Sequence, residues 1–417
     1  MRYVKLPVAV IVALLLASGS YFVVPVPAAT VGPVTDPIGV VKVNKGQPIT
    51  IAYWLVIAGP DASLGIDSRR GIEIAIDDKK KVAGFSVKLI GEDSGCNAEG
   101  GVTAATKLAA NKAIVAAIRS SCSSEARPGA PILWKAGIVT VSPSNTAPVL
   151  TAADRGPDYG GYLRTAHNDS VQGKVAAEFA FKVLKVKKAA TIHDGSPYAE
   201  GLANVFGDVF TRLAGAGAIT AREAISPTDT DMRPVLTKIA ATKPDLLYFP
   251  IFTAAGGFVV RQAKEVAGLA NVKLMSADGT FSPDFRKAAG DAVVGVYNSS
   301  PDLTKLGPGY AKFLEKHQKK YGEKPLSAFH PHAYDAALVI FAAIEKVGKK
   351  DAQGNLYIGR QALRDALFAT KNFKGLTGTL TCNQFGDCAD PKIAVYVTVS
   401  ADPAKWNPGT DPKQIYP

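Results

Sequence analysis

The chain has 417 residues, 47% of them hydrophobic and 20% charged, and a formal net charge of +12. This length is too great for one simple core and predicts two lobes. Basic residues are spread over helical segments without a basic run interleaved with aromatics, so we expect no nucleic-acid surface. A solvated basic shell is the expectation, and a bias toward anionic surfaces is the alternative.

The amino terminus has the composition of a secretory signal. Arg2 and Lys5 precede an apolar stretch over 6–16 and small residues over 17–20. This pattern predicts a signal peptide over 1–28, with cleavage after Ala28 or, alternatively, after Ser20. The apolar character continues to Val24, so a retained membrane anchor is the other possibility. No cysteine lies nearby to support a lipid anchor, and we expect a periplasmic or extracellular protein.

Strands and helices alternate through most of the chain. Residues 29–48 are rich in Pro, Gly and Val and are interpreted as a linker, whereas the polar tail from Asp402 is expected to be loose. The alternation predicts parallel sheets covered by helices, in two similar lobes that face each other across a cleft. The predicted strands are 49–57, 85–90, 113–118, 138–141, 189–193, 219–225, 246–252 and 273–277, with a strand pair within 376–399; the predicted helices are 67–81, 98–111, 124–135, 171–185, 197–214, 231–242, 255–268, 329–347 and 360–370.

Two of the predicted strands are each followed by a cluster of hydroxyl residues. SSCSS occupies 120–124 and SPSNT occupies 142–146. Ligands of open α/β sheets bind beyond the carboxyl ends of the strands, where hydroxyls and free N–H groups suit a small anionic or zwitterionic ligand. The alternative is that both clusters are ordinary helix caps and turns.

The four cysteines are expected to form disulfides, because their number is even and the chain is predicted to be exported. Their order suggests the pairs Cys96–Cys122 and Cys382–Cys388. A metal site is the competing interpretation, but the CxxC spacing and neighbouring histidines of zinc sites are missing, so we expect no metal.

No recognisable catalytic motif is present in the sequence. His193, His317, His330 and His332 have no serine elbow or other evident nucleophile beside them. The glycines do not form a GxGxxG or P-loop pattern after a strand. We therefore expect a protein that is not an enzyme and has no cofactor.

A series of motifs resembles one known family in order and spacing: ITIAYWLVIAGP, GEDSGC with SSCSS, VSPSNTAP, IHDGSPYAEGL, DLLYFPIF, SADGTF and GLTGTLTCNQFGD. Between about residues 49 and 400 the chain resembles the periplasmic substrate-binding proteins of ABC transporters that bind leucine, isoleucine and valine. The resemblance implies an α/β protein with the type I periplasmic-binding-protein fold, in which two βα Rossmann-like lobes are joined by three chain crossings around a hinged ligand cleft. It assigns 46–165 plus 300–375 to lobe 1 and 166–299 plus 376–417 to lobe 2.

The resemblance also implies a ligand site. In such proteins a serine after the bridged cysteine holds the ligand carboxylate, which here is Ser123, and a threonine in the next loop contacts carboxylate and ammonium, which here is Thr146. A backbone carbonyl of that loop, at Ser144, accepts from the ammonium. On the second lobe, aromatic rings at Tyr198 and Phe252 cover the ligand.

The same resemblance makes an acid at Asp278 the partner of the ligand ammonium. Asp278 is one methylene shorter than the glutamate usual there, and Leu64 replaces an aromatic near the side-chain pocket, so the ligand could be another amino acid or a small carboxylate. The resemblance implies a monomer that delivers its ligand to ABC permease subunits in the membrane. A sensory binding module and a secreted hydrolase on a similar fold are the alternatives.

Overall fold

A computed structural model describes residues 29–417, and the predicted signal peptide at 1–28 lies outside the described residues. The helices are α1 Ala62–Lys79, α2 Ala98–Ala110, α3 Ser123–Lys135, α4 Asp169–Lys182, α5 Pro197–Ala214, α6 Arg233–Ala240, α7 Thr253–Ala263, α8 Pro283–Ala289, α9 Tyr310–Tyr321, α10 His330–Val347 and α11 Arg360–Phe368. The strands are β1 Ala29–Val31, β2 Val34–Asp36, β3 Val40–Val43, β4 Ile49–Leu55, β5 Val87–Asp93, β6 Ile114–Arg119, β7 Val139–Ser142, β8 Tyr162–Arg164, β9 Ala189–His193, β10 Ile219–Ala224, β11 Leu246–Tyr248, β12 Lys273–Ser276, β13 Tyr297–Pro301, β14 Lys349–Lys350, β15 Leu356–Gly359, β16 Phe373–Lys374, β17 Thr379–Leu380, β18 Ile393–Val397 and β19 Lys413–Tyr416.

Two parallel sheets of the same topology form the centres of the two lobes. The first has the strand order β5-β4-β6-β7-β8, and the second begins β10-β9-β11-β12-β13. In each case the first strand of the lobe lies between the second and the third, so the connections change direction beside it. Such a switch point leaves a crevice at the carboxyl ends of the strands. Each lobe therefore offers one crevice in which a ligand can be held.

The prediction of a linker over 29–48 is wrong for most of that segment, because it forms strands. β1 and β2 form a hairpin, and β3 pairs with β15 in a small antiparallel sheet with β14. Val41 and Val43 alternate inward and are buried in the first core. The proline and glycine content suggested a linker, but the partner strand that orders β3 lies more than 300 residues away along the chain.

The carboxyl-terminal prediction also needs correction. The predicted strand pair within 376–399 does not form, because β17 pairs with β16 whereas β18 pairs with β13 and β19. The tail after Asp402 is not loose. β19 extends the second sheet, and the Trp406 ring is 6% exposed, packs 5.0 Å from the Phe281 ring and donates from Nε1 to the Pro325 carbonyl at 2.8 Å.

The chain crosses between the lobes in three places, although not all at the predicted boundaries. The first crossing lies between β8 and α4, and the second follows β13, whose last two residues extend beyond the predicted boundary at 299. Leu380, Cys382 and Cys388 pack in the first core, so the third crossing lies between Cys388 and β18 rather than at 376. The second and third crossings lie side by side, where the Asp302 N–H donates to the Lys392 carbonyl at 2.8 Å.

The cysteines form two disulfides, Cys96–Cys122 and Cys382–Cys388, the pairs suggested by their order in the chain. The first joins the loop after β5 to the loop after β6, next to the crevice of the first lobe. The Glu125 carboxylate lies within 4.8 Å of both sulfur atoms. Because these sulfurs are bonded to each other, they are not thiolate ligands for a metal.

Among residues 29–417, every helix falls short of the length and apolar character that crossing a bilayer requires.

We predict that Trp406→Ala lowers the free energy of unfolding by about 3 to 5 kcal/mol, the range for removing a buried large aromatic side chain. Urea denaturation followed by circular dichroism measures the change. Val399→Ala is the matched control in the same terminal segment, since Val399 is 53% exposed and its truncation should change stability by less than about 0.5 kcal/mol. Equal effects of the two substitutions would contradict the packing role of Trp406.

Candidate functional site

One small cavity lies where the carboxyl ends of the two sheets face each other. Its wall from the first lobe comes from loops that follow β4, β6 and β7 and from the residue before α10; its wall from the second lobe follows β9, β11 and β12. The free space is about 10 Å³, which holds roughly one water molecule. The lobes are thus closed onto each other, and a larger ligand enters only when they separate. The lining residues are Leu64, Ser121, Cys122, Ser123, Ser144, Tyr198, Phe252, Asp278 and Phe329.

The first lobe presents hydroxyls at the amino end of α3. Ser123 is the first residue of that helix, and its Oγ accepts from the Ala147 N–H at 3.2 Å, which leaves the hydroxyl hydrogen free to donate. Cys122 precedes it as the helix N-cap, and the Glu125 carboxylate accepts from the Cys122 N–H at 3.3 Å. Free N–H groups and the helix dipole at this end favour an anionic ligand group.

The Glu125 carboxyl supports this helix end from inside the lobe. It accepts from the Ser94 hydroxyl at 2.7 Å. Burial raises the pKa of Glu125 to about 7, although the hydrogen bonds from Ser94 and from the Cys122 backbone act in the opposite direction. The disulfide and this carboxyl together fix where the first turn of α3 begins.

The loop after β7 is held rigidly against the loop after β6. Ser144 donates its hydroxyl to the Ser120 and Ser121 carbonyls at 3.2 and 3.1 Å. Asn145 donates to the Ser120 carbonyl at 2.9 Å and accepts from the Ser120 hydroxyl at 2.9 Å. The Thr146 side chain is 1% exposed, and its hydroxyl has no hydrogen-bond partner within residues 29–417. A buried hydroxyl without a partner is costly.

The second lobe contributes two rings and an acid. The Tyr198 and Phe252 ring centroids are 5.1 Å apart. The Tyr198 hydroxyl donates to Asp278 Oδ1 at 3.3 Å and accepts from the Gly279 N–H at 3.0 Å, so the ring and the carboxyl are fixed relative to each other. Gln172 on α4 donates its amide to the same oxygen. Burial raises the pKa of Asp278 to about 6 despite these hydrogen bonds.

Hydrogen bonds between the lobes lie at the rim of the cavity. Asp61 precedes α1 in the first lobe, and its Oδ1 accepts from the Thr253 N–H at the start of α7 at 3.0 Å. Ser63 donates its hydroxyl to the Asp284 carboxylate on α8. Both contacts depend on closure, because their partners belong to different lobes.

The structure brings together five of the six ligand residues predicted from the resemblance: Ser123, Ser144, Tyr198, Phe252 and Asp278 line the cavity. Thr146 is buried in the same loop as Ser144 but is not part of the lining. Sequence reasoning missed Ser121 and Phe329. Ser121 belongs to the SSCSS cluster, which was a usable signal.

Nothing in the sequence around Phe329 indicated that it lines the cavity, because the placement of its ring depends on a buried interaction with a distant residue. Asp67 on α1 accepts from the Phe329 N–H at 3.0 Å and from the His330 N–H at 2.8 Å. Burial by itself would raise the Asp67 pKa, but the charge and hydrogen bonds of His330 hold it below its usual value. This carboxylate fixes the entry to α10 and so directs the Phe329 ring into the cavity.

The sequence profile described as periplasmic binding protein matches residues 48–388. The chain belongs to the periplasmic binding protein family. Over 369 residues this binding protein is 30% identical to the Leu/Ile/Val-binding protein BraC3 of Rhizobium johnstonii, which covers 87% of this chain and 92% of the relative. It is also 30% identical to the leucine-, isoleucine-, valine-, threonine-, and alanine-binding protein of Pseudomonas aeruginosa over 352 residues, 84% of this chain and 89% of the relative.

A solved structure supports the same conclusion. The leucine-binding protein LivK from Thermotoga maritima matches this binding protein with a TM-score of 0.74 and 26% identity, covering 85% of this chain and 96% of the other. The family resemblance and the type I fold predicted from the motifs are confirmed.

We predict that the double substitution Asp61→Ala and Ser63→Ala shifts ligand-free protein from the closed toward the open arrangement, because both hydrogen bonds exist only when the lobes meet. Small-angle X-ray scattering should show a larger radius of gyration than for the native protein. Asp208→Ala is the control, since it removes a surface ion pair with Arg222 within the second lobe. A radius unchanged by the double substitution would mean that these contacts do not hold the closed form.

Proposed function

We propose that this protein is the extracytoplasmic binding component of an ABC importer. It binds an amino acid, branched-chain or related, or a similar small carboxylate, between the lobes and delivers it to permease subunits in the membrane. The proposal rests on one observation above the others: loops of both lobes together line an enclosed cavity at the carboxyl ends of both sheets. The relatives are named as Leu/Ile/Val-binding and leucine-, isoleucine-, valine-, threonine-, and alanine-binding proteins, which favours this ligand class.

The proposed ligand spans the cavity from one lobe to the other. Its carboxylate accepts from the Ser123 hydroxyl and from N–H groups at the start of α3, where a charge-assisted hydrogen bond is strong. The Thr146 hydroxyl and the Ser144 carbonyl contact the ammonium end from the first lobe. Asp278 approaches that end from the second lobe, and Tyr198 closes over it.

The ligand side chain is proposed to be small and apolar. Leu64, Phe252 and Phe329 form the apolar part of the lining. Leu64 occupies less space than the aromatic ring common in leucine-type members, whereas the short Asp278 side chain leaves a gap at the ammonium end. A ligand displaced toward Asp278, or a water molecule between them, would fill that gap.

The proposed mechanism is ligand-dependent closure of the two lobes, as in a binding protein, and it includes no chemical step. A ligand shifts the equilibrium toward the closed form only by contacts that the open form lacks. Here the donors lie on one lobe, whereas the acid and the rings lie on the other, so both sets reach the ligand only after closure. The permease then distinguishes loaded from empty protein by shape. Residues 1–28 would direct export, and a monomer suffices for this cycle.

We predict that Ser123→Ala weakens amino-acid binding by about 1.5 to 3 kcal/mol, the usual effect of losing a hydrogen bond to a charged group. Isothermal titration calorimetry with the ligand identified below measures the change. Ser170→Ala is the control, because Ser170 is exposed on the neighbouring helix α4. Native affinity in the Ser123 variant would mean that this serine serves only as part of the helix end.

We predict that a thermal-shift screen of the L-amino acids and their deaminated acids identifies a ligand with an apolar side chain. A ligand at 100 times its Kd stabilises the native state by about 2.7 kcal/mol, which raises the melting temperature measurably. ATP hydrolysis by the reconstituted permease should then rise only with loaded protein. Ligand binding without this stimulation would favour the sensory alternative, and turnover of the ligand would favour an enzyme.

A further inference from the structure

A second acid, Asp169, lies in the interior beside the cavity, at the first position of α4. Its side chain is 0% exposed, and neither carboxylate oxygen has a hydrogen-bond partner of normal geometry within residues 29–417. His167 Nε2 lies 4.0 Å from Asp169 Oδ1. Burial lowers the pKa of His167 to about 4, so this ring is neutral at physiological pH and does not compensate a carboxylate. Such isolation is costly for a buried charge.

Asp169 and Asp278 act on each other through the interior of the second lobe. Gln172 lies three residues after Asp169, on the same face of α4. It donates to Asp278 Oδ1 and forms a hydrogen bond with His167 through its own Oε1. Burial, followed by the charge of Asp278, raises the pKa of Asp169 well above its usual value. The other titratable or charged groups around the pair are Arg164, Tyr198 and Tyr248, with Asp387 beside Arg164 and His332 beside His167.

Thr146 brings the first lobe into the same cluster. The Asp169 N–H donates to the Thr146 carbonyl at 3.0 Å, and the Thr146 hydroxyl lies near enough to the Asp169 carboxyl to lower its pKa. Within the described chain, the Thr146 hydroxyl and both Asp169 oxygens are buried and form no hydrogen bond of normal geometry, although the hydroxyl is close enough to approach the carboxyl. Three unsatisfied acceptors or donors from two lobes, next to the acid that lines the cavity, suit one group in particular. A primary ammonium offers three hydrogens and one positive charge.

We propose that Asp169 is a second acidic binding residue of the cleft and that the Asp169–Asp278 pair accepts a ligand ammonium in exchange for a proton. This inference rests on the proposed binding of an amino acid. Two adjacent buried carboxyls cannot both ionise cheaply, so the pair retains a proton when no cation is present. The arriving ammonium supplies the compensating charge, and the carboxyl proton passes to solvent. No other bond changes.

The exchange determines how affinity depends on pH. Both acids have raised pKa values, so the ligand-free pair is protonated at low pH and the ammonium must displace that proton. Affinity therefore rises with pH through the range near and above 6, by up to about tenfold per pH unit while one proton is exchanged. A deaminated acid carries no ammonium, so its binding should release no proton.

The pair also affects ligand-free stability, and the sign follows from the direction of the shifts. The native state keeps a proton that the unfolded chain loses above the usual carboxyl pKa of 3.8. The destabilisation by these acids is therefore absent at low pH and grows as pH rises. Asp169→Asn should raise the melting temperature of ligand-free protein at pH 8 and change it little at pH 4. Asp208→Asn, on the surface of α5, should do neither.

Calorimetry tests the exchange directly. Native protein is titrated with L-leucine, with the other L-amino acids if leucine is not bound, and with 4-methyl-2-oxopentanoate, in phosphate and in Tris at pH 7. The dependence of the observed heat on the buffer's ionisation enthalpy gives the number of protons released. We expect release of up to one proton with the amino acid and none with the oxo acid. Asp169→Asn should reduce the release and raise the Kd at least tenfold.

The outcomes separate the two proposals. Amino-acid binding without proton release, together with native affinity in Asp169→Asn, overturns the exchange and leaves the proposed function intact. Failure of every amino acid to bind overturns the exchange, and failure of the oxo acid as well overturns the proposed function. If Asp169→Asn does not fold, the buffer dependence of the native protein still decides, and Asp278→Asn serves as the second variant.

Discussion

The buried guanidinium of Arg164 is the interaction on which the geometry of the cleft depends. Its Nη1 donates to the Asn145 and Ala147 carbonyls, both at 3.0 Å, and its Nε forms an ion pair with Asp387. These carbonyls flank Thr146, whereas Asp387 belongs to the turn closed by the second disulfide. A fully buried cation that loses such partners destabilises a protein by several kcal/mol, so this arrangement is strongly favoured. The loop of the ligand site, the first crossing and the carboxyl-terminal turn are thereby fixed together.

Around this fixed point, two sheets of equal topology place their switch points opposite each other. The first lobe presents hydroxyls and N–H groups, and the second presents the Asp278 carboxyl and the Tyr198 and Phe252 rings. Neither set alone satisfies a zwitterion. Under the proposed function, closure is therefore coupled to the ligand by complementary chemistry, and the desolvated cavity strengthens each polar contact. The hydrogen bonds of Asp61 and Ser63 at the rim also stabilise the closed form, and they do so without the ligand.

The buried carboxyl of Asp169 lowers the stability of the ligand-free protein but serves the proposed binding of a cationic group. A hydrophobic residue at Asp169 would avoid the cost of burying a carboxyl, yet it would remove a compensating charge for a cationic ligand group. Asp67 shows the opposite case, because its backbone and histidine partners satisfy it fully and lower its pKa. The two buried acids thus differ: Asp67 is satisfied within the protein, whereas the Asp169 oxygens form no hydrogen bond of normal geometry within residues 29–417.

The sequence by itself determined the features that depend on neighbours along the chain. These are the alternation of strands and helices, the hydroxyl clusters at the ends of β6 and β7, the disulfide pairs and the family resemblance. Strand and helix periodicity, turn chemistry and cysteine order are local patterns, and they specified four of the five parallel strands of each central sheet. The start of α1 was nevertheless misplaced, since Ala62–Leu64 lack a strong helical signal.

Only the tertiary structure decided features whose partners are distant in sequence. β3 is a strand because β15 covers its edge, and β18 pairs with β13 and β19 rather than with the preceding β17. Phe329 reaches the cavity because Asp67 holds its backbone. Among residues 29–417, the neutral His167 ring at 4.0 Å is the one potential ion-pair partner of the Asp169 carboxyl. Pairing of short strands and compensation of buried charge are properties of the assembled interior. A pattern of residues along one segment cannot specify them.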